Sequence, residues 1–150
     1  MMAPRPLILG LGSPHGDDQA GWLVVGELHE RGWDKADARM LSQPVDLLDC
    51  LPTNRRLLLC DAAAGKTPGY LRTWIWPEQT LPTLIRGGTH DLTLAEVLEY
   101  AQELKLLDTS VELRTIDGVT WTPFSTPCDA VRDAADLLAT QIHKEEAIHA

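Results

Sequence analysis

Hydrophobic positions form two kinds of pattern along this chain, continuous runs and helical spacing, and each pattern predicts one kind of element. Continuous apolar runs over residues 6–11 and 56–60 are typical of central parallel strands that are covered on both faces. Apolar residues three and four positions apart predict helices over residues 18–31 and from either Thr89 or Thr93 onward. Thr93 and Glu96 also have the spacing of a capping box, which marks the start of the later helix.

The other segments complete a sheet with helices between its strands. Shorter strands are predicted at 38–41, 70–76 and 111–115, a short helix at 45–51, and a last helix from 126 to about 142. Arginine and threonine within 70–76 indicate an edge strand. This order predicts an α/β fold, a three-layer α/β/α sandwich with a twisted, mostly parallel five-stranded sheet and helices on both faces. Residues 1–150 are expected to form a single domain with a polar tail after about residue 143.

Composition narrows the possible partners and the cellular compartment. The net charge of −9 at pH 7 argues against nucleic acid and anionic membranes as partners, since both are polyanions. The three cysteines are widely spaced, which argues against a disulfide framework and against structural zinc. No apolar run is long enough for a membrane span. We therefore expect a cytoplasmic protein with no nucleic acid partner and no membrane insertion.

The first predicted strand leads into the most distinctive stretch of the chain. Gly10 and Gly12 follow the apolar run, and Asp17 and Asp18 then open the first helix. Glycines after a strand are typical of phosphate binding at a helix start, but two carboxylates there would repel a phosphate. A third glycine, Gly16, misses the dinucleotide-binding spacing by one residue. We expect the glycines to let the chain turn sharply enough to present Asp18, and Asp17 to cap the helix or orient Asp18.

Three side chains are expected to meet at the carboxyl ends of the strands, where sheets of this kind bind ligands. Asp18 follows the first strand, Asp61 follows the third, and His90 precedes the third helix. If the two strands are neighbours, about 5 Å apart, the two carboxylates can converge. Two carboxylates and an imidazole suit a divalent metal with open coordination positions. Taken singly, these residues also fit structural roles, as a helix cap, a turn residue and a packing histidine.

Three blocks of the chain together resemble the signature of the nickel-iron hydrogenase maturation endopeptidases. The blocks are the stretch from Gly10 to Gly21, the segment Leu58-Leu59-Cys60-Asp61-Ala62, and the stretch from Thr89 to Leu98. They occur in the order and with the spacing of that family and span nearly the whole chain. Ser13 stands where the family usually has Asn, Gln19 stands where it usually has Gly, and the first loop is one residue shorter.

The resemblance implies a hydrolase, a nickel-dependent processing endopeptidase that is not a serine, cysteine or zinc protease. Such an enzyme removes the C-terminal extension of a nickel-iron hydrogenase large-subunit precursor after nickel insertion. Asp18, Asp61 and His90 would be both its catalytic and its metal-contacting residues. Nickel would be carried by the precursor, which is the expected partner, and no organic cofactor is implied. We expect the protein to be a monomer.

A non-catalytic function fits the same residues. A metal-sensing chaperone would bind the precursor without cutting it, and the mass of the precursor after incubation would distinguish the two. A nucleotide-binding module is the third alternative, and it would show saturable binding of a dinucleotide.

Overall fold

Five strands form one sheet in the structure, a computed structural model that describes residues 5–82 and 92–149. The strands are β1 (Leu7–Leu11), β2 (Ala38–Leu41), β3 (Leu57–Ala64), β4 (Leu71–Trp76) and β5 (Val111–Gly118). Their order across the sheet is β2-β1-β3-β5-β4. Parallel pairing joins β2, β1, β3 and β5 in that order, and β4 is antiparallel to β5 at the edge. The mostly parallel sheet and the edge position of β4 are therefore confirmed.

Helices cover both faces of the sheet. They are α1 (Ala20–Glu30), α2 (Leu94–Glu103) and α3 (Asp129–His149), with 3-10 turns at Gly16–Gln19 and Pro44–Cys50. One apolar core lies between the sheet and the helices α1 and α3, and a second lies on the other face, beneath α2 and the Pro44–Cys50 turn. Apolar burial on both faces stabilises the parallel strands, which accounts for their continuous apolar runs. The three-layer α/β/α fold is confirmed.

The capping box at the start of α2 is confirmed in atomic detail. The Glu96 backbone N–H donates to Thr93 Oγ1 at 3.1 Å, and the Thr93 backbone N–H donates to Glu96 Oε1 at 3.1 Å. These two bonds satisfy donors that a helix start leaves without partners, so the helix begins where the sequence predicts. Within the described residues, none of the helices combines the length and apolar character that crossing a membrane requires.

The strand β3 is longer than predicted, and this moves Asp61. The sequence places Asp61 after the end of the strand, whereas the structure places it within β3. The strand continues because its pairing with β5 runs on to Ala64 and Gly118. Consecutive small alanines let this segment stay extended in the centre of the sheet. Asp61 is thus held by two neighbouring strands rather than by a loop.

The last helix is also longer than predicted. The predicted helix end at about residue 142 is wrong, because α3 runs to His149. Glu145 and Glu146 accept hydrogen bonds from Arg114 and Arg56, each at 2.8 Å. These two ion pairs attach the polar end of the helix to the sheet, and sequence periodicity alone does not reveal them.

Gly10 and Gly21 serve close packing between β1 and α1. A Cβ atom on Gly10 would overlap the carbonyl oxygen of Gly21, and one on Gly21 would overlap the carbonyl oxygen of Leu11. The helix therefore lies directly on the end of the strand. The turning function that we expect for the glycines belongs to Gly16, which has a φ of +57°.

Candidate functional site

Asp18 and Asp61 lie toward the carboxyl edge of the sheet, in a turn after one strand and within its neighbouring strand. Asp18 belongs to the 3-10 turn that follows β1, and this turn contacts β3, which carries Asp61. Both residues are buried, with exposed fractions of 7% for Asp18 and 1% for Asp61. The neighbouring strands that the prediction required are confirmed by the pairing of β1 with β3.

Short hydrogen bonds orient both carboxylates. Ser13 Oγ donates to Asp18 Oδ2 at 2.5 Å, and the Ser13 backbone N–H donates to the Asp18 carbonyl at 3.2 Å. The Ala62 backbone N–H donates to Asp61 Oδ1 at 2.7 Å. Ser13 thus supplies a hydroxyl donor that orients Asp18.

His90 lies outside the described residues, in the interval 83–91 between β4 and α2. Its convergence with Asp18 and Asp61 therefore stays a prediction. Over 5–82 and 92–149, no three histidine, cysteine or acidic side chains are grouped so that they could hold a metal ion. A complete metal-binding set would thus need a ligand from beyond these two ranges or from a bound partner.

Asp61 is part of a polar row that crosses three strands. In the pairing register Asp61 lies beside Thr115 of β5, and Thr115 lies beside Arg72 of β4. Paired residues of adjacent strands project to the same face, here the α2 face, on which Leu59 and Trp74 belong to the core. The row therefore begins where the apolar core of that face ends.

Asp17 has a structural function that differs from the predicted helix cap. Its Oδ2 accepts from the backbone N–H groups of Val119 and Thr120 at 2.8 and 3.0 Å, and its Oδ1 accepts from that of Cys128 at 2.8 Å. Burial alone would raise the pKa of Asp17, but these three backbone donors hold it below its usual value. Asp17 fixes the connection between β5 and α3 to the loop that carries Asp18.

Sequence reasoning did not single out Asp117, a second buried acid on β5. Asp117 is 1% exposed, and its Oδ2 accepts from Arg72 Nη2 at 3.0 Å. Gly65 gives it room, because a Cβ there would overlap Asp117 Oδ2. The available signal was an aspartate directly after Ile116, at the carboxyl end of an apolar strand, where an unpaired charge would be costly.

Cys60 is a core thiol, as its position in an apolar strand predicts. It is fully buried, and burial raises its pKa to about 12. A thiol with this pKa carries almost no thiolate at neutral pH, so it does not act as a nucleophile.

This fold is that of the hydrogenase maturation proteases. The chain is similar to the [NiFe] hydrogenase maturation protease HycI from Thermococcus kodakarensis KOD1, at 24% identity and a TM-score of 0.70, with 95% of this chain and 92% of that one covered. It is also similar to the hydrogenase maturating endopeptidase HybD from E. coli, at 20% identity and a TM-score of 0.71, with 97% and 93% covered.

A third similar structure is the [NiFe] hydrogenase maturation protease HybD from Thermococcus kodakarensis, at 21% identity and a TM-score of 0.67, with 98% and 100% covered. No family model and no curated protein sequence matches the chain. The similarity thus lies in the three-dimensional arrangement, and it confirms the fold that the three sequence blocks imply.

Proposed function

We propose that this protein is an endopeptidase that removes the C-terminal extension of a nickel-iron hydrogenase large-subunit precursor after nickel insertion. One observation carries the proposal. Two buried carboxylates lie toward the carboxyl edge of the sheet, Asp18 in the turn after β1 and Asp61 within the adjacent strand β3, in a fold that hydrogenase maturation proteases share over nearly the whole chain. The protein would act in the cytoplasm as a monomer, without a nucleic acid partner.

In this proposal Asp18, Asp61 and His90 bind the nickel that the precursor carries. Carboxylate and imidazole ligands suit a divalent ion of this kind. Because the enzyme contributes only part of the coordination sphere, a precursor without nickel would bind poorly. Metal contact would then restrict cleavage to precursors whose nickel is already in place.

The same carboxylates supply the acid–base chemistry of cleavage. We assign to one of them the removal of a proton from the water that attacks the peptide carbonyl carbon. The C–N bond then breaks, and the leaving amine takes up a proton. Ser13 positions Asp18 for this work through its hydroxyl donor, and the Ala62 N–H positions Asp61 in the same way.

The direct test is incubation with nickel-loaded and nickel-free precursor, with the intact precursor mass as the readout. The wild-type chain should shorten the loaded precursor only. Asp18→Asn, Asp61→Asn and His90→Gln should each lower the rate at least about 100-fold, in the range reported for lost acid–base groups. Asp133→Asn is the matched control, because Asp133 is an exposed acid on α3.

Two outcomes would contradict the proposal. Normal trimming by all three site variants would remove these residues from the chemistry. A wild-type chain that binds loaded precursor but leaves its mass unchanged would instead support the non-catalytic chaperone.

A further inference from the structure

The edge strand β4 presents a half-exposed guanidinium beside the candidate site. The Arg72 side chain is 46% exposed, and within the described residues its one hydrogen bond is the 3.0 Å bond to Asp117. Its guanidinium carbon also lies 5.3 Å from the centre of the Tyr70 ring. Arg72 thus keeps several N–H donors available at the rim, while one end of its guanidinium is fixed.

Stability does not account for this pair. The Asp117 side chain is 2% exposed, and within the described residues no donor reaches its Oδ1. A buried carboxylate with one ionic partner costs desolvation energy that the pair regains only in part, so apolar residues would serve the fold as well. What the arrangement does provide is a guanidinium held in one orientation.

The register relates this guanidinium to Asp61. Asp61, Thr115 and Arg72 occupy one row, so the backbones of the first and last are two strand spacings apart, about 10 Å. Extended peptide covers about 10 Å in three residues. A substrate segment that has one end at Asp61 can therefore reach Arg72 within about three residues.

We propose that Arg72 is a substrate-binding residue that donates hydrogen bonds to an oxygen acceptor of the precursor, about three residues from the part that meets Asp61. Asp117 is its positioning residue, since it acts through the guanidinium. The inference rests on the proposed function and adds to it a second contact point on the same face of the sheet. The acceptor is a peptide carbonyl or an acidic side chain of the precursor.

The test compares variants of the pair in cleavage and in binding of the nickel-loaded precursor. Arg72→Gln combined with Asp117→Asn removes both charges and keeps a pair that can form a hydrogen bond, so the fold is retained. This double variant should raise KM and the precursor Kd by about 10- to 100-fold, which corresponds to one lost charge-assisted contact, with kcat within about threefold of wild type. Arg72→Lys should recover part of the loss.

Arg56→Gln is the matched control, because Arg56 also forms an ion pair, with Glu146, but at the amino end of the central strand β3, away from the candidate site. It should leave KM and Kd unchanged. A double variant with wild-type KM and Kd would overturn the assignment and leave the pair as a structural link. If the wild-type chain binds without cutting, Kd alone still tests Arg72, and a chain that neither binds nor cuts overturns both proposals.

Ionic strength separates the two kinds of acceptor. Salt should raise the wild-type KM and remove much of its difference from the double variant if Arg72 meets an acidic side chain. The difference should persist in salt if it meets a peptide carbonyl.

Discussion

Two buried aspartates, Asp17 and Asp117, show two different uses of a carboxylate at the same edge of one sheet. Asp17 accepts three backbone N–H groups from the β5–α3 connection. Asp117 accepts one bond, from a guanidinium that is itself half exposed. A carboxylate whose acceptors are filled by backbone donors fixes the chain, whereas one that pairs with a half-exposed guanidinium orients that guanidinium toward solvent or a ligand. Burial alone therefore does not tell a structural acid from a functional one.

Asp17→Ala should give the largest effect on stability. Three part-buried backbone donors would lose their acceptor, which should cost about 3–5 kcal/mol of the free energy of unfolding. Urea unfolding followed by circular dichroism measures this loss. Asp17→Asn should cost less, because the amide oxygen keeps some of the bonds. A loss no larger than that of Asp133→Ala would contradict the structural function of Asp17.

The acid dependence of stability tests the function of Asp17 further. The pKa of Asp17 is held below its usual value of 3.8, so the unfolded state takes up a proton at higher pH than the folded state. The stabilisation by Asp17 is therefore present above the unfolded pKa and is lost as pH falls through the folded pKa. Below about pH 4, the free energy of unfolding should fall less steeply for Asp17→Asn than for wild type. Equal slopes would show that Asp17 does not carry this effect.

Gly65→Ala should act on the Asp117 region alone. The new Cβ would overlap Asp117 Oδ2 and displace the carboxylate from Arg72, at a cost of about 1–3 kcal/mol in stability. If Arg72 binds substrate, KM should rise as well. Gly26→Ala in α1 is the matched control, because its Cβ would meet only Met40, at 3.9 Å. That change should stabilise the protein by about 0.5–1 kcal/mol, since alanine favours helix.

Ser13→Ala should give the smallest change in stability. It removes the hydroxyl that donates to Asp18, worth about 1 kcal/mol. Its effect on precursor trimming should be larger than its effect on unfolding, because Asp18 loses its orientation. Ser13→Asn keeps a donor and should retain most of the rate. An unchanged trimming rate in Ser13→Ala would show that this hydrogen bond does not matter for Asp18.

The sequence predicts those parts of the molecule whose causes are local. The apolar run of β1 spans only a few consecutive residues, and so does the capping box of α2. Both features are confirmed. The end of β3 depends on pairing with β5, and the length of α3 depends on ion pairs to Arg56 and Arg114. These partners are distant in sequence, so neither boundary could be predicted from its own segment.

The candidate site divides in the same way. Asp18 and Asp61 could be predicted as candidates because each comes shortly after a continuous apolar run in the sequence. Each also lies in one of the three blocks that resemble the family signature. The function of Asp17 could not be, because its donors come from the β5–α3 connection. The position of Arg72 in the same row as Asp61 could not be predicted either, because it depends on two strand registers.

The bonds of Asp17 have a consequence for the protein during its own synthesis. Val119, Thr120 and Cys128 lie 102, 103 and 111 residues after Asp17 along the chain. A nascent chain that has emerged only as far as β4 already contains Asp18 and Asp61, but it lacks every donor that holds the Asp17 carboxylate. The loop beside Asp18 can take its final shape only once the ribosome has delivered this late segment. A chain that lacks this segment would therefore carry both candidate carboxylates without the bonds that fix the loop beside Asp18.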